Sequence, residues 1–263
     1  MTLRFPLTLS ASGLKALESC PRLFRFRFLD KHLWPVIDPE ILAALQRGQQ
    51  FHRLVELQAK GREVEPRLPS VDAQVQTWWS QFQKSEHAHP QGEVQSELSL
   101  WTELWGVRWT ARLDRLVMGA DHLHILDWKT DRRRPADAQI RDSWQVRLYP
   151  LLVLQLGSLF LGDRPLPEAI HLTFWYAQHP DQPFRMQYTE EQWQQDYADL
   201  ERIVGDLDRL QAEQFPRTPH LSRCAGCAYR SRCYGLLPDQ VSEDLLPDWE
   251  GLDLEAALDF ELS

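Results

Sequence analysis

The stretch HILDWKT, residues 124 to 130, is an apolar run broken near its end by Asp127 and Lys129. Side chains alternate faces along a strand, so these two share one face and Trp128 takes the other. One apolar run earlier, ARLDRLV at 111 to 117 carries Asp114. Alternation groups Asp114 with Arg112 and Leu116, opposite Leu113. If the two strands pair across a turn near Gly119 to Asp121, Asp114 comes to lie beside Asp127. Neighbouring carboxylates repel unless a cation sits between them, and carboxylate oxygens suit Mg²⁺ or Mn²⁺. Such an ion polarises a phosphoryl oxygen and lowers the pKa of a bound water. Lys129 could then orient that water or stabilise the charge developing on the phosphate. An Asp-x-Lys by itself reads as a strand-edge salt bridge, but this one has company. RGQQFHRLVEL sets Gly48, His52 and Glu56 on one helical stripe, and SWQVRLYPL sets Gln145 and Tyr149 four apart on another.

Elements to hold these residues are legible. A Ser-capped amphipathic helix opens the chain near residues 10 to 20. Longer helical patterns follow at 39 to 60, with Ile41, Leu45, Phe51 and Val55 on the apolar side, and around 71 to 84. Strand-like runs at 93–103, 105–118 and 122–129, separated by short turns, predict an antiparallel meander. A helix over 137 to 156, strands at 169–177 and 184–188, and a helix over 190 to 213 complete the order. This succession predicts an α/β fold, a mixed sheet flanked by helices. There is no internal repeat, low-complexity tract or domain linker.

The 263 residues are 43% hydrophobic and 25% charged, an ordinary globular composition with an unusual eleven Trp. No apolar run approaches the roughly 20 residues needed to span a bilayer, and the first residues lack the apolar core of a secretion signal. A cytoplasmic protein with no membrane partner is expected, its thiols reduced. The net charge of −9 arises from residues 239 to 263, which hold nine acids and no Lys or Arg; the remainder has 29 of each sign. Bases cluster in RLFRFRF (22–28) and KTDRRRP (129–135). Local patches rather than net charge guide phosphate binding, so composition is neutral on nucleic acid.

The four cysteines are Cys20, Cys224, Cys227 and Cys233, the last three in C-x2-C-x5-C spacing. Such a group reads as a ligand cluster. Four thiolates satisfy tetrahedral Zn²⁺ or a 4Fe–4S centre, and spacing does not choose between them.

Taken in order, Gly48…His52…Glu56, Asp114–Arg115, Asp127-Trp128-Lys129 and Gln145…Tyr149 resemble the RecB-like branch of the PD-(D/E)xK nuclease superfamily, over roughly residues 8 to 236. One departure is Ala111, where members often carry Gly. The resemblance implies a restriction-endonuclease-like fold and a metal-dependent deoxyribonuclease. It assigns the metal to His52, Asp114, Asp127 and the Trp128 carbonyl, and catalysis to Lys129, with Glu56 supporting. Gln145 and Tyr149 would steady the site and contact the DNA backbone, joined by Arg132, Arg133 and Arg134. Cys20 before the core and the C-x2-C-x5-C after it resemble the iron–sulfur nucleases of the AddB and CRISPR-adaptation types. That similarity implies a 4Fe–4S cluster joining the N- and C-terminal segments, within a nuclease domain of residues 1 to 237. The implied substrate is DNA, as single strands or ends, in repair or recombination. No G-x4-G-K-[ST] loop is present, so unwinding would need a helicase or repair-complex partner in trans. The related alternatives are a subunit of a helicase–nuclease or spacer-acquisition complex, and a non-catalytic subunit binding DNA ends. The acidic tail, 238 to 263, fits either a terminal amphipathic helix or a flap that competes with phosphates.

Overall fold

The structure is a computed structural model, and the residues it describes are 7–32, 39–225 and 227–235. The acidic tail lies outside them. The strands are β1 (Leu7–Leu9), β2 (Glu93–Leu104), β3 (Val107–Met118), β4 (Leu123–Lys129), β5 (Ile170–Tyr176) and β6 (Phe184–Gln187). Before β2 come α1 (Ala11–Ser19), α2 (Pro21–Phe24), α3 (Pro39–Ala59) and α4 (Ala73–Gln83). Between β4 and β5 lie α5 (Asp137–Arg141), α6 (Trp144–Leu156) and α7 (Ser158–Leu161); α8 (Glu190–Ala212), α9 (Ser222–Ala225) and α10 (Arg230–Tyr234) follow β6. Among the described residues no helix is long and apolar enough to cross a membrane.

The six strands form one mixed sheet. The expected meander is present: β2 pairs antiparallel with β3, and β3 with β4. Two pairings are parallel, β1 with β3 and β4 with β5, the second joined through α5 to α7. The edge of β3 opposite β2 is shared. β1 takes it at Val107 to Trp109, and β4 takes it from Arg115 to Met118. Asp114 falls in the interval between them.

Helices cover both faces, as burying a two-sided sheet requires. On one face α1, α6 and α8 pack against Trp109, Leu113, Leu116 and Ile125. On the other, α3 and α4 bring Phe51, Trp78 and Phe82 against Trp128 and Trp175. This second core is built from aromatic rings; Phe51 stacks on Trp175 with centroids 5.8 Å apart, and Phe82 meets Trp128 edge-on at 5.1 Å. Tryptophan abundance is thus mostly packing.

The structure departs from the sequence expectation in three places. The helix expected over 137 to 156 breaks at Asp142 and Ser143, because Ser143 is extended (ψ 143°) and starts a new N-terminus at Trp144. Residues 25 to 29 form a π-helical turn that overlaps the basic run 22–28. That run is spent on structure: Arg22 donates to the Phe215 carbonyl at 2.6 Å, Arg25 pairs with Asp30 at 3.1 Å, and Arg27 is buried. Leu116 lies in the same core as Leu113, not on the opposite face, because the pleat of β3 inverts near Asp114.

Where β4 meets β5, His124 accepts or donates a hydrogen bond with Thr173 at 2.9 Å. Burial, then the nearby His87, His171, His122 and Arg185, push its pKa down to about 4. A folded-state pKa below the unfolded value means that the unfolded chain binds the extra proton. His124 therefore removes stability as pH falls from its unfolded value near 6.5 toward about 4. Between pH 7 and 5 this group should cost about 2 kcal/mol, from a shift of that size. His124→Gln, which keeps a partner for Thr173, should flatten the pH dependence of the urea midpoint over that range. An unchanged slope would exclude His124 as its source.

Candidate active site

Strands β2 and β3 keep one register along their length, with Ser96 opposite Arg115 and Leu98 opposite Leu113. The pair between them, Glu97 with Asp114, makes no ladder bridge, and Glu97 has φ +54°. A non-glycine residue in the left-handed region is strained and persists only where its surroundings hold it. The pleat changes phase at this pair on both strands. Val94 packs with the α3–α4 core, whereas Leu98 and Leu100 face the α6 side. On β3, Leu113 and Leu116 both face the α6 side, so Asp114 and Arg115 turn together toward α3.

The result is a convergence of ligand-type atoms. His52, Glu97 and Asp114 each offer one within 4.8 Å of the others. His52 Nδ1 lies 3.2 Å from Asp114 Oδ1, and the Trp128 amide donates to Asp114 Oδ2 at 2.7 Å. Arg112 donates to Glu97 at 2.9 Å. Gly48, one turn before His52, lets α3 approach the end of β4; a Cβ there would meet Thr130 Oγ1 at 3.0 Å.

Charge crowding is visible in the titration of the two acids. Burial and then the charge of Asp114 push the Glu97 carboxyl up, against the pull of Arg112 and His52. Burial also raises Asp114, but His52, the Trp128 amide and Lys129 outweigh it and hold the carboxyl down. An imidazole and two carboxylates, one kept ionised and one held against repulsion, are donors suited to a divalent cation. His52, Glu97 and Asp114 would hold it.

Asp127 and Lys129 stand on the α6 side of β4. Lys129 Nζ lies 2.7 Å from Asp127 Oδ2 and donates to Gln145 Oε1 at 2.8 Å. Gln145 Nε2 in turn donates to the Tyr149 hydroxyl at 3.1 Å. The face of Phe174 lies 4.6 Å from the ammonium. Both charges of the Asp127–Lys129 pair are buried, an arrangement that is costly unless each group is well partnered.

Continuing the β3–β4 register by one step from Arg115 opposite Leu126 sets Asp114 opposite Asp127. Their backbones are thus neighbours in the sheet, but the side chains leave it on different sides. Asp114 turns toward His52 of α3 and Asp127, with Lys129, toward α6, so Asp127 is not gathered with the trio. Their carboxylates differ in company, Asp114 with His52 and Asp127 with Lys129. Glu56 is turned away into ion pairs with Arg53 and Lys60. Tyr149 is buried beneath Gln145. Trp128 puts its ring into the aromatic core. Of the three arginines, Arg132 and Arg133 are exposed, while Arg134 binds the Gln182 carbonyl at 2.6 Å and Asp137 at 2.6 Å. Glu97 is absent from the sequence-based site. Its signal was the hairpin register: counted back across the turn from Asp114, the facing residue in VQSELSL is an acid.

The four cysteines are free thiols, half buried. Segments 18–32 and 214–229 are joined by hydrogen bonds: Arg223 to the Glu18 and Ser19 carbonyls, and Tyr229 to that of His32 at 3.0 Å. The Thr218 amide donates to Cys20 Sγ at 3.4 Å. No three of the four sulfurs lie mutually within 4.8 Å among the described residues.

The fold is a mixed sheet flanked by helices, and the His52–Glu97–Asp114 trio is its candidate divalent-cation site. The chain belongs to the PD-(D/E)XK nuclease superfamily, whose family model matches residues 8–234. Its fold is similar to that of a solved structure from Eubacterium rectale described as "Putative exonuclease", with TM-score 0.57 and 13% identity over 89% of this chain and 91% of that one. A second solved structure, SSO0001, aligns at 12% identity over 92% of this chain and 91% of its own, with TM-score 0.38. No curated protein matches the chain.

Glu97→Gln should keep the fold, since the amide can still bond Arg112, yet remove one anionic donor. Calorimetric titration with Mn²⁺ should show affinity lowered on the order of tenfold or more. Unaltered Mn²⁺ affinity would remove Glu97 from the ligand set.

Proposed function

We propose that the protein is a metal-dependent deoxyribonuclease that hydrolyses phosphodiester bonds at single strands or ends, as an exonuclease in DNA repair or recombination. The observation that carries this reading is the buried Lys129 ammonium, fixed between Asp127 and Gln145, whose charge also acts on Asp114 of the His52–Glu97–Asp114 trio. A bound divalent ion, Mg²⁺ or Mn²⁺, would supply charge neutralisation at the phosphoryl oxygens and a water of lowered pKa. The chain's own residues do the positioning. Asp127 pairs with the Lys129 ammonium, and Gln145 aims it. From there the ammonium can donate to a nonbridging phosphate oxygen and stabilise the charge that accumulates in the transition state. Tyr149 fixes the Gln145 amide through its hydroxyl, so the lysine meets the phosphate with little reorganisation. The exposed Arg132 and Arg133 lie just past the catalytic strand and supply cations for the strand backbone.

End-labelled single- and double-stranded DNA, incubated with Mg²⁺ or Mn²⁺, tests this directly. Wild-type protein should cleave, and Lys129→Ala should lose on the order of a hundredfold or more in rate, as for removal of a positioned catalytic group. Wild-type activity in Lys129→Ala would sink the assignment.

The same reading assigns a 4Fe–4S cluster to Cys20, Cys224, Cys227 and Cys233. It is supported by the hydrogen bonds that join the two cysteine-bearing segments, Arg223 to the Glu18 and Ser19 carbonyls and the Thr218 amide to Cys20 Sγ at 3.4 Å. Protein purified without oxygen should be brown and contain iron and sulfide in about equal amounts. Stoichiometric zinc without iron would overturn this assignment.

A further inference from the structure

The β2–β3 hairpin runs on past the Glu97–Asp114 pair, and its far half is packed on one face only. Leu100, Val107, Trp109 and Ala111 face the α6 core. The opposite face carries Ser99, Trp101 and Glu103 on β2 and Arg108, Thr110 and Arg112 on β3, all exposed or half exposed. Trp101 is 57% exposed and is the only exposed tryptophan among the described residues. The Arg108 guanidinium carbon lies 4.7 Å from the centre of its ring. Arg112, between this pair and the trio, bonds Glu97.

Trp101 is four residues from Glu97 on one strand, so roughly 13 Å separates their Cα atoms at about 3.3 Å per residue. A strand whose phosphate sits at the trio and continues along β2 would pass over this ring within a few nucleotides. An indole exposed on one side and backed by a guanidinium on the other is a stacking platform, because every base presents a π-face and Arg adds a cation. Arg108 and Arg112 flank the route with positive charge suited to phosphates. Glu103, opposite Arg108 at the hairpin's end, sets a limit on the route by repelling phosphates beyond it. Among the described residues the cation against its ring is Arg108.

We propose that Trp101, backed by Arg108, stacks a base of single-stranded nucleic acid and so feeds the strand into the His52–Glu97–Asp114 centre. This substrate-holding role rests on the nuclease reading for its purpose, but the binding it implies is measurable without cleavage. Fluorescein-labelled oligothymidylate, titrated without added divalent metal and followed by anisotropy, should bind Trp101→Ala about tenfold more weakly than wild type, the scale of one lost base stack. Trp101→Phe should recover most of that loss. The same strand made with abasic residues should bind wild type and Trp101→Ala equally. Hydrolysis of the p-nitrophenyl ester of thymidine 5′-monophosphate, too short to reach Trp101, should be unchanged by Trp101→Ala. Oligothymidylate affinity untouched by Trp101→Ala, or an equal loss on the abasic strand, overturns the proposal. Trp101-dependent oligothymidylate binding in a wild type that cleaves neither ester nor DNA would uphold the stacking role and sink the nuclease reading instead.

Discussion

Asp114 is accommodated where β3 exchanges one neighbour for another, and the rest of the site is arranged around that exchange. A residue inside a continuous ladder has both backbone groups committed and its side chain fixed to one face of the pleat. Between the end of β1 pairing at Trp109 and the start of β4 pairing at Arg115, β3 is relieved of a partner on one edge. There the pleat can change phase, and Glu97 on β2 follows by adopting φ +54°. The inversion turns Asp114 toward α3, where His52 can meet it, and leaves the Trp128 amide to satisfy its second oxygen. Two carboxylates face each other across a strained pair, and the strain makes structural sense where a cation is to be bound.

Arg115 shows what the inversion costs and what it secures. In regular alternation the residue would point to the α6 side; instead it is buried in the aromatic core, 1% exposed. Its guanidinium donates to the His87 carbonyl at 2.9 Å and lies over Trp128 at 5.4 Å. Burial brings its pKa down to about 10, partly offset by Asp114, so the group stays charged at neutral pH. It also reaches the Val55 carbonyl of α3 at 3.5 Å. The residue beside Asp114 thus ties its strand to the helix that carries His52.

The elements were legible because their periodicities are long and clean: the meander, the helix of Gly48 and His52, and the capped α8 all follow from local pattern. So was the pairing of Asp127 with Lys129 on one face, which needs only strand alternation. Three things were not. The short β1 contributes three residues whose pairing with β3 is parallel and distant in sequence, and no local signal announces it. The side occupied by Leu116 was misread because alternation was carried through Asp114 unbroken, and periodicity alone does not show where a pleat inverts. Glu97 was overlooked for the same reason, since its partnership with Asp114 depends on hairpin register. The basic run at 22–28 resembled a phosphate patch in composition, yet Arg22 and Arg25 are engaged by the Phe215 and Gln214 carbonyls of a distant segment and by the nearby Asp30. Charge in a sequence says nothing of whether a backbone carbonyl waits for it.

The last requirement is that Lys129 be aimed, and this falls on α6. That helix presents Gln145, braced by Tyr149, to the lysine and Arg147 to α8. Arg147 donates to Asp196 and Asp199, both at 2.6 Å, and Tyr188 donates to Asp196 at 2.9 Å. Burial pushes the Asp196 carboxyl up, and the Arg147 and Tyr188 hydrogen bonds draw it back. A helix held only by apolar contacts can rotate or slide at small cost, since such contacts are non-directional. Polar contacts on two faces remove both freedoms, because any shift that relieves one side leaves a buried charge unpaired on the other. The chain from Asp196 through Arg147 to α6, and from Gln145 to Lys129, is therefore how the fold fixes one ammonium relative to the carboxylates of β3 and β4.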